Sequence, residues 1–159
     1  MDIVSSGLLS YEKRVREVLG SFPSWFVEGS RISQIVVVQS PQVRAEKAIY
    51  AHKSRVLSLS PGLGDILRMV LAHEMSHGVD DGEPEESPHR FSRSPEWTGI
   101  WRQVPSFTTR KYRDSPQEYF ADAMASAIVS GIQTYSLAHP YEGAYITQVV
   151  VPRLMGKKG

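Results

Sequence analysis

Apolar residues recur along this chain at two periods, and the switches between them mark out the elements. Leu8, Tyr11, Val15, Val18 and Leu19 stand at helical spacings with charged residues elsewhere, which predicts a helix over 8–19. Phe22-Pro23 ends it, and Trp25 and Phe26 are expected to pack beneath. The β-branched run ISQIVVVQ, 32–39, reads as a buried strand stopped by Ser40-Pro41. Segments 48–52 and 55–60 alternate apolar and polar, which suits two antiparallel strands joined at Lys53-Ser54. Pro61-Gly62-Leu63-Gly64 turns the chain into a helix over 65–79. On that helix Ile66, Met69, Val70, His73 and His77 fall on one narrow arc, an apolar, inward-facing stripe that the two histidines continue. Asp65 is placed to cap its start, and Gly78 to stop or bend it.

Past residue 79 the pattern turns polar. Glu83, Glu85 and Glu86 read as a solvated loop, and His89 as a surface residue. Ser94-Pro95 opens a helix whose core stripe is Trp97, Ile100, Trp101 and Val104, and Pro105 ends it. Segment 107–114 is expected to be irregular. Ser115-Pro116 opens a helix over 116–130, ended by Gly131. A last helix over 140–156, kinked or ended at Pro152, packs through Ile146, Val149 and Val150.

With 159 residues, 41% hydrophobic and 22% charged, the chain fits one domain over 1–159. A net charge of +1 gives no case for nucleic acid or an anionic membrane, and no apolar run is long enough to span a bilayer. The start MDIVSSGLLSYEKR lacks a basic stretch followed by a long apolar run, so no signal peptide is expected. The absence of cysteine removes disulfides, thiolate ligands and thiol nucleophiles. Nothing forces association, so a monomer is expected.

The chemistry concentrates in His73-Glu74-Met75-Ser76-His77, an H-E-x-x-H. Four residues are just over one helical turn, so both imidazoles leave one face and can share a zinc ion. Glu74 sits about 100° round the helix, where its carboxylate can take a proton from water without being a ligand. On the later helix, Glu118, Ala121, Asp122, Ala125 and Val129 share one face. Glu118 stands where a capping-box glutamate stands. Its small neighbours let a second helix come close, as a third ligand from a separate helix requires.

H-E-x-x-H followed at a distance by E-x-x-x-D resembles the gluzincin metallopeptidases. HEMSHGVDD followed by YRDSPQEYFADA resembles, more narrowly, the catalytic domain of anthrax lethal factor and the secreted Pro-Pro endopeptidases, over roughly residues 25–155. The resemblance implies an α+β, zincin-like fold. A small mixed or antiparallel sheet (about 8–60, with the first helix) packs on an active-site helix (about 65–78). A ligand helix (116–130) and a C-terminal helix (140–156) follow. It implies Zn2+ on His73, His77 and Glu118, Glu74 as base, Asp122 orienting a ligand histidine, and Tyr112 stabilising the oxyanion. Tyr112 stands six residues before Glu118, one fewer than is usual in the family, and Met75-Ser76 replaces Phe-Gly.

The expected function is a zinc endopeptidase working through a water activated by Glu74, either a secreted protease or a toxin or effector delivered into a target cell. A peptide substrate is expected to pair in extended form with a sheet edge formed by 35–38 or 55–60. The alternatives are a Pro-Pro-type endopeptidase of narrow specificity, a non-catalytic zinc-stabilised binding domain, and a structural domain whose H-E-x-x-H is coincidental.

Overall fold

A four-stranded sheet forms one layer of the protein, in a computed structural model that describes residues 1–104 and 115–156. Its strands are β1 (Asp2–Ser5), β2 (Gln34–Val37), β3 (Ala48–Ala51) and β4 (Val56–Leu59), in the spatial order β1-β2-β4-β3. β1, β2 and β4 run parallel, and β3 pairs antiparallel with β4. The sheet is therefore mixed and the class is α+β. The β3–β4 hairpin is the one expected from the alternating segments. Its turn closes where the Arg55 N–H, on a residue at φ 59°, donates to the Ala51 carbonyl at 2.7 Å. β1 has no counterpart in the sequence pattern, because only Ile3 of its four residues is buried.

α1 (Leu9–Ser21) and α2 (Ser24–Ser30) carry the chain from β1 to β2. α1 buries Val15 and Val18, as their spacing predicts. α2 is a helix where only loose packing of Trp25 and Phe26 was expected, and it buries Phe26 fully. Ser40-Pro41 does more than stop the strand, since it starts α3 (Pro41–Glu46). The Ser40 hydroxyl accepts the Val43 N–H at 3.1 Å, and Pro41 supplies a preset first residue.

A single 3-10 turn, Gly64–Ile66, leads into α4 (Leu67–Asp81). No side chain caps α4, so Asp65 does not take the expected role. The buried face also differs from the expected arc. Leu67, Leu71, Met75 and Val79 are the core residues, while Ile66 and Met69 are 44% and 37% exposed. Four aliphatic side chains one turn apart, each worth about 2 kcal/mol when buried, decide which way the helix faces. His73 and His77 are thereby set at the margin of the core instead of inside it.

Gly78 does not stop α4. The helix runs three residues further and closes at Gly82, whose φ is 70°. A Cβ at position 78 would lie 2.2 Å from the Ser30 carbonyl oxygen, so glycine is required for α2 to lie this close. Gly78→Ala is expected to cost about 3 kcal/mol in denaturant unfolding. A loss below about 1 kcal/mol would mean that α2 yields freely.

α5 (Pro95–Trp101) and α6 (Pro116–Ser130) begin as predicted. The hydroxyls of Ser94 and Ser115 accept the N–H groups of Trp97 and Glu118, each at 3.2 Å. α6 packs along α4, and its Ala121 and Ala125 are fully buried. α7 (Ile132–Ala138) follows in a stretch the pattern left unassigned. The expected last helix is divided into α8 (Pro140–Tyr145), a π-helical turn Ile146–Val150, and α9 (Val151–Gly156). Pro152 has no N–H, and its ring crowds the carbonyl four residues back. The wider turn, in which the Val151 N–H reaches Ile146 O, makes room for it. Ile146 and Val150 are buried as expected, whereas Val149 is exposed. Among the described residues no helix is long and apolar enough to cross a membrane.

Candidate metal centre

α4 brings His73 and His77 together with ring centroids 5.1 Å apart and planes at 81°. α6 supplies Glu118, whose carboxylate faces both rings. Oε2 lies 3.1 Å from His73 Nε2, and Oε1 lies 3.4 Å from His77 Nε2. The cap at Ser115 fixes this position, because it starts α6 three residues before Glu118. One donor atom from each residue falls within 4.8 Å of the others. Zinc bonds of about 2.0–2.1 Å in a tetrahedral site put ligand atoms about 3.3 Å apart, so two imidazole nitrogens and a carboxylate at these separations fit that ion.

The charges are consistent with this grouping. Burial disfavours the ionised form of Glu118, but His73 and His77 outweigh it and hold the carboxyl well below its usual range. Burial likewise works against a proton on His77. Glu118, with Glu74 and Asp80 behind it, outweighs that and raises the imidazole above its ordinary value.

Two of the three, His77 and Glu118, line a cleft of about 550 Å³ between α4 and β3. Glu74, His77 and Asp81 of α4, Ala48, Ile49 and Tyr50 of β3, and Gln42 and Glu46 of α3 all line it. Glu74 thus shares the cleft with His77 and Glu118, as the motif requires. The edge strand at the cleft is β3, not 35–38 or 55–60. Both of those segments are interior, because β2 lies between β1 and β4, and β4 between β2 and β3.

Two other expected residues stand differently. Tyr112 lies outside the described residues. Asp122 is half-buried on α6, one turn past Glu118, and among the described residues it makes no hydrogen bond to His73 or His77. Its charge bears instead on nearby phenols. Burial, then Glu142, then Asp122 push the Tyr119 hydroxyl up to about 12.

The loop after α4 is more ordered than its composition suggests. Asp80 is fully buried and accepts the N–H groups of Phe91 and Ser92 and the Ser92 hydroxyl. Glu83 pairs with Arg31, and Glu86 with Arg90 and Arg153. Partial burial works against the Glu86 charge, yet the Glu83 N–H and the two guanidinium groups hold its carboxyl at about 2. These glutamates are therefore ties between elements and not a solvated acidic run.

His52 and Asp81 line the cleft without a role in the sequence reading, and His89, read as a surface residue, lines it too. Asp81 falls one turn past His77, a signal hidden by ending the helix at Gly78. His89 adopts φ 62° and turns its ring toward Asp80 and Asp81. No protein-family model matches the chain, and no curated protein matches it.

Proposed function

We propose that this chain is a zinc-dependent endopeptidase of zincin-like architecture, with His73, His77 and Glu118 as the metal ligands. One observation carries the reading: the three donors converge from two helices, and Glu74 lines the cleft beside two of them, His77 and Glu118. The resemblance of HEMSHGVDD and YRDSPQEYFADA to the lethal-factor-like gluzincins points the same way.

When bound, the ion supplies Lewis-acid polarisation and lowers the pKa of a water. Glu74 accepts one proton from the attacking water, whose oxygen bonds to the carbonyl carbon. The carbon–nitrogen bond then breaks with its electron pair left on nitrogen, and Glu74 returns the proton to the departing amine. β3 orients the substrate. Among the described residues its outer edge is unpaired, so an extended peptide can add there as a strand. Tyr112 is assigned to the oxyanion by resemblance alone.

The test is digestion of a diverse peptide library by the zinc-loaded chain, read by mass spectrometry, with and without a chelator. Cleavage that stops on chelation and returns with zinc is expected. A chain that holds zinc and cuts nothing would favour the non-catalytic zinc-stabilised domain.

A further inference from the structure

His52 is the first residue past β3 and lines the cleft together with Glu74, His77 and Glu118. It is not one of the metal ligands. Its Nδ1 meets Asp81 Oδ2 at 2.6 Å. A carboxylate only accepts, so Nδ1 carries the hydrogen, and in the neutral ring Nε2 remains as an acceptor.

Asp81 is 3% exposed and lies in the last turn of α4, where the helix dipole disfavours an anion. Such a carboxylate is retained only with partners around it. The groups beside it, His52, Tyr50 and His89, are all residues of the cleft wall. The His89 ring lies nearly parallel to that of His52, with centroids 6.2 Å apart, and among the described residues its buried Nδ1 makes no hydrogen bond. This end of the cleft is therefore built around an oriented imidazole that the metal centre does not use.

Its place along the cleft follows from α4. Glu74 and Asp81 are seven residues apart, which is about 10 Å of helix at about 1.5 Å per residue. An extended peptide covers that distance in about three residues.

We propose that His52, braced by Asp81, accepts a hydrogen bond from a main-chain N–H of an extended peptide substrate, about three residues from the bond that lies beside Glu74. The proposal rests on the peptidase reading of the same cleft. His52 touches substrate. Asp81 acts through His52 and is a positioning residue.

The experiment removes single N–H donors from the ligand. A fluorescein-labelled octapeptide is selected from a random library for binding to the zinc-loaded Glu74→Gln chain, which keeps the peptide intact. Analogues N-methylated at one amide each are then titrated by fluorescence anisotropy at pH 8, against Glu74→Gln alone and combined with His52→Ala or Asp81→Asn. Zinc content and circular dichroism confirm that each variant is folded.

One N-methyl position is expected to weaken binding about tenfold when His52 is present and less than about threefold after His52→Ala. Asp81→Asn should shrink the same position's penalty, and adding it to His52→Ala should shrink it no further. Positions paired with β3 keep their penalties in every variant, a pattern that a purely structural role for His52 does not produce. Identical penalties at every position with and without His52 overturn the proposal, as does failure to select any peptide. Cleavage by wild type is scored separately. His52-dependent binding without any cleavage would retain the contact and reject the peptidase reading.

Discussion

Glu74→Gln is expected to leave about one zinc per chain and to lower kcat/KM for any cleaved peptide by about a thousandfold or more. The two halves of this result have separate origins. Zinc retention follows because His73, His77 and Glu118 hold the donor atoms, and Glu74 contributes none of them. Loss of turnover follows because an amide cannot take up the proton that water must give away. Glutamine matches glutamate in size, so the cleft keeps its shape. Zinc binding by calorimetry and cleavage by mass spectrometry on one preparation read both halves. Turnover within about tenfold of wild type would take Glu74 out of the mechanism. Loss of zinc together with activity would show that Glu74 supports the metal.

Glu118→Ala is expected to abolish stabilisation by zinc. With free zinc about a thousandfold above Kd, wild type should gain about 4 kcal/mol, or about 10 °C in melting temperature. The variant should gain less than about 3 °C. Two imidazoles on one helix face remain, but the third donor is gone and α6 no longer contributes to the site. A metal held as proposed would then no longer tie α4 to α6, and that tie is the expected source of its stabilisation. Thermal scans at matched free zinc measure this. A full gain in Glu118→Ala would place the ion elsewhere, and His52 and His89 are the imidazoles to test next.

Much of this site was legible in the sequence, and the misreadings have physical causes. The pair at i and i+4, with a carboxylate on a second small-residue face, is a local pattern, and the structure brings those three side chains together. The Ser-Pro helix start was recognised at Ser94 and Ser115 but not at Ser40, where the same cap opens only six helical residues with little periodicity. The inward face of α4 was misjudged because Ile66 and Met69 are as apolar as Leu67 and Leu71. Which set faces inward is decided by what packs against the helix. Gly78 was read by its backbone freedom, but the structure uses its lack of a side chain against Ser30. The identity of the edge strand was not legible at all. It depends on β4 leaving its hairpin partner on one side and joining β2 on the other, a pairing across distant segments. His89 escaped for the same reason, since it acquires its role only where α4 ends beside the β3–β4 turn.

The single antiparallel strand gives the cleft a direction. β3 runs from the side of Glu46 toward His52. Antiparallel pairing, the slightly more stable arrangement, then lays a peptide in the opposite sense. For a peptide bound as proposed, the amino-terminal residues would meet His52 and the carboxyl-terminal residues would meet the side of Glu46. Reversing a substrate's sequence is therefore not a neutral change, because the two ends of the groove differ in charge and in hydrogen-bonding character. A peptide and its sequence-reversed twin, identical in composition, become different ligands.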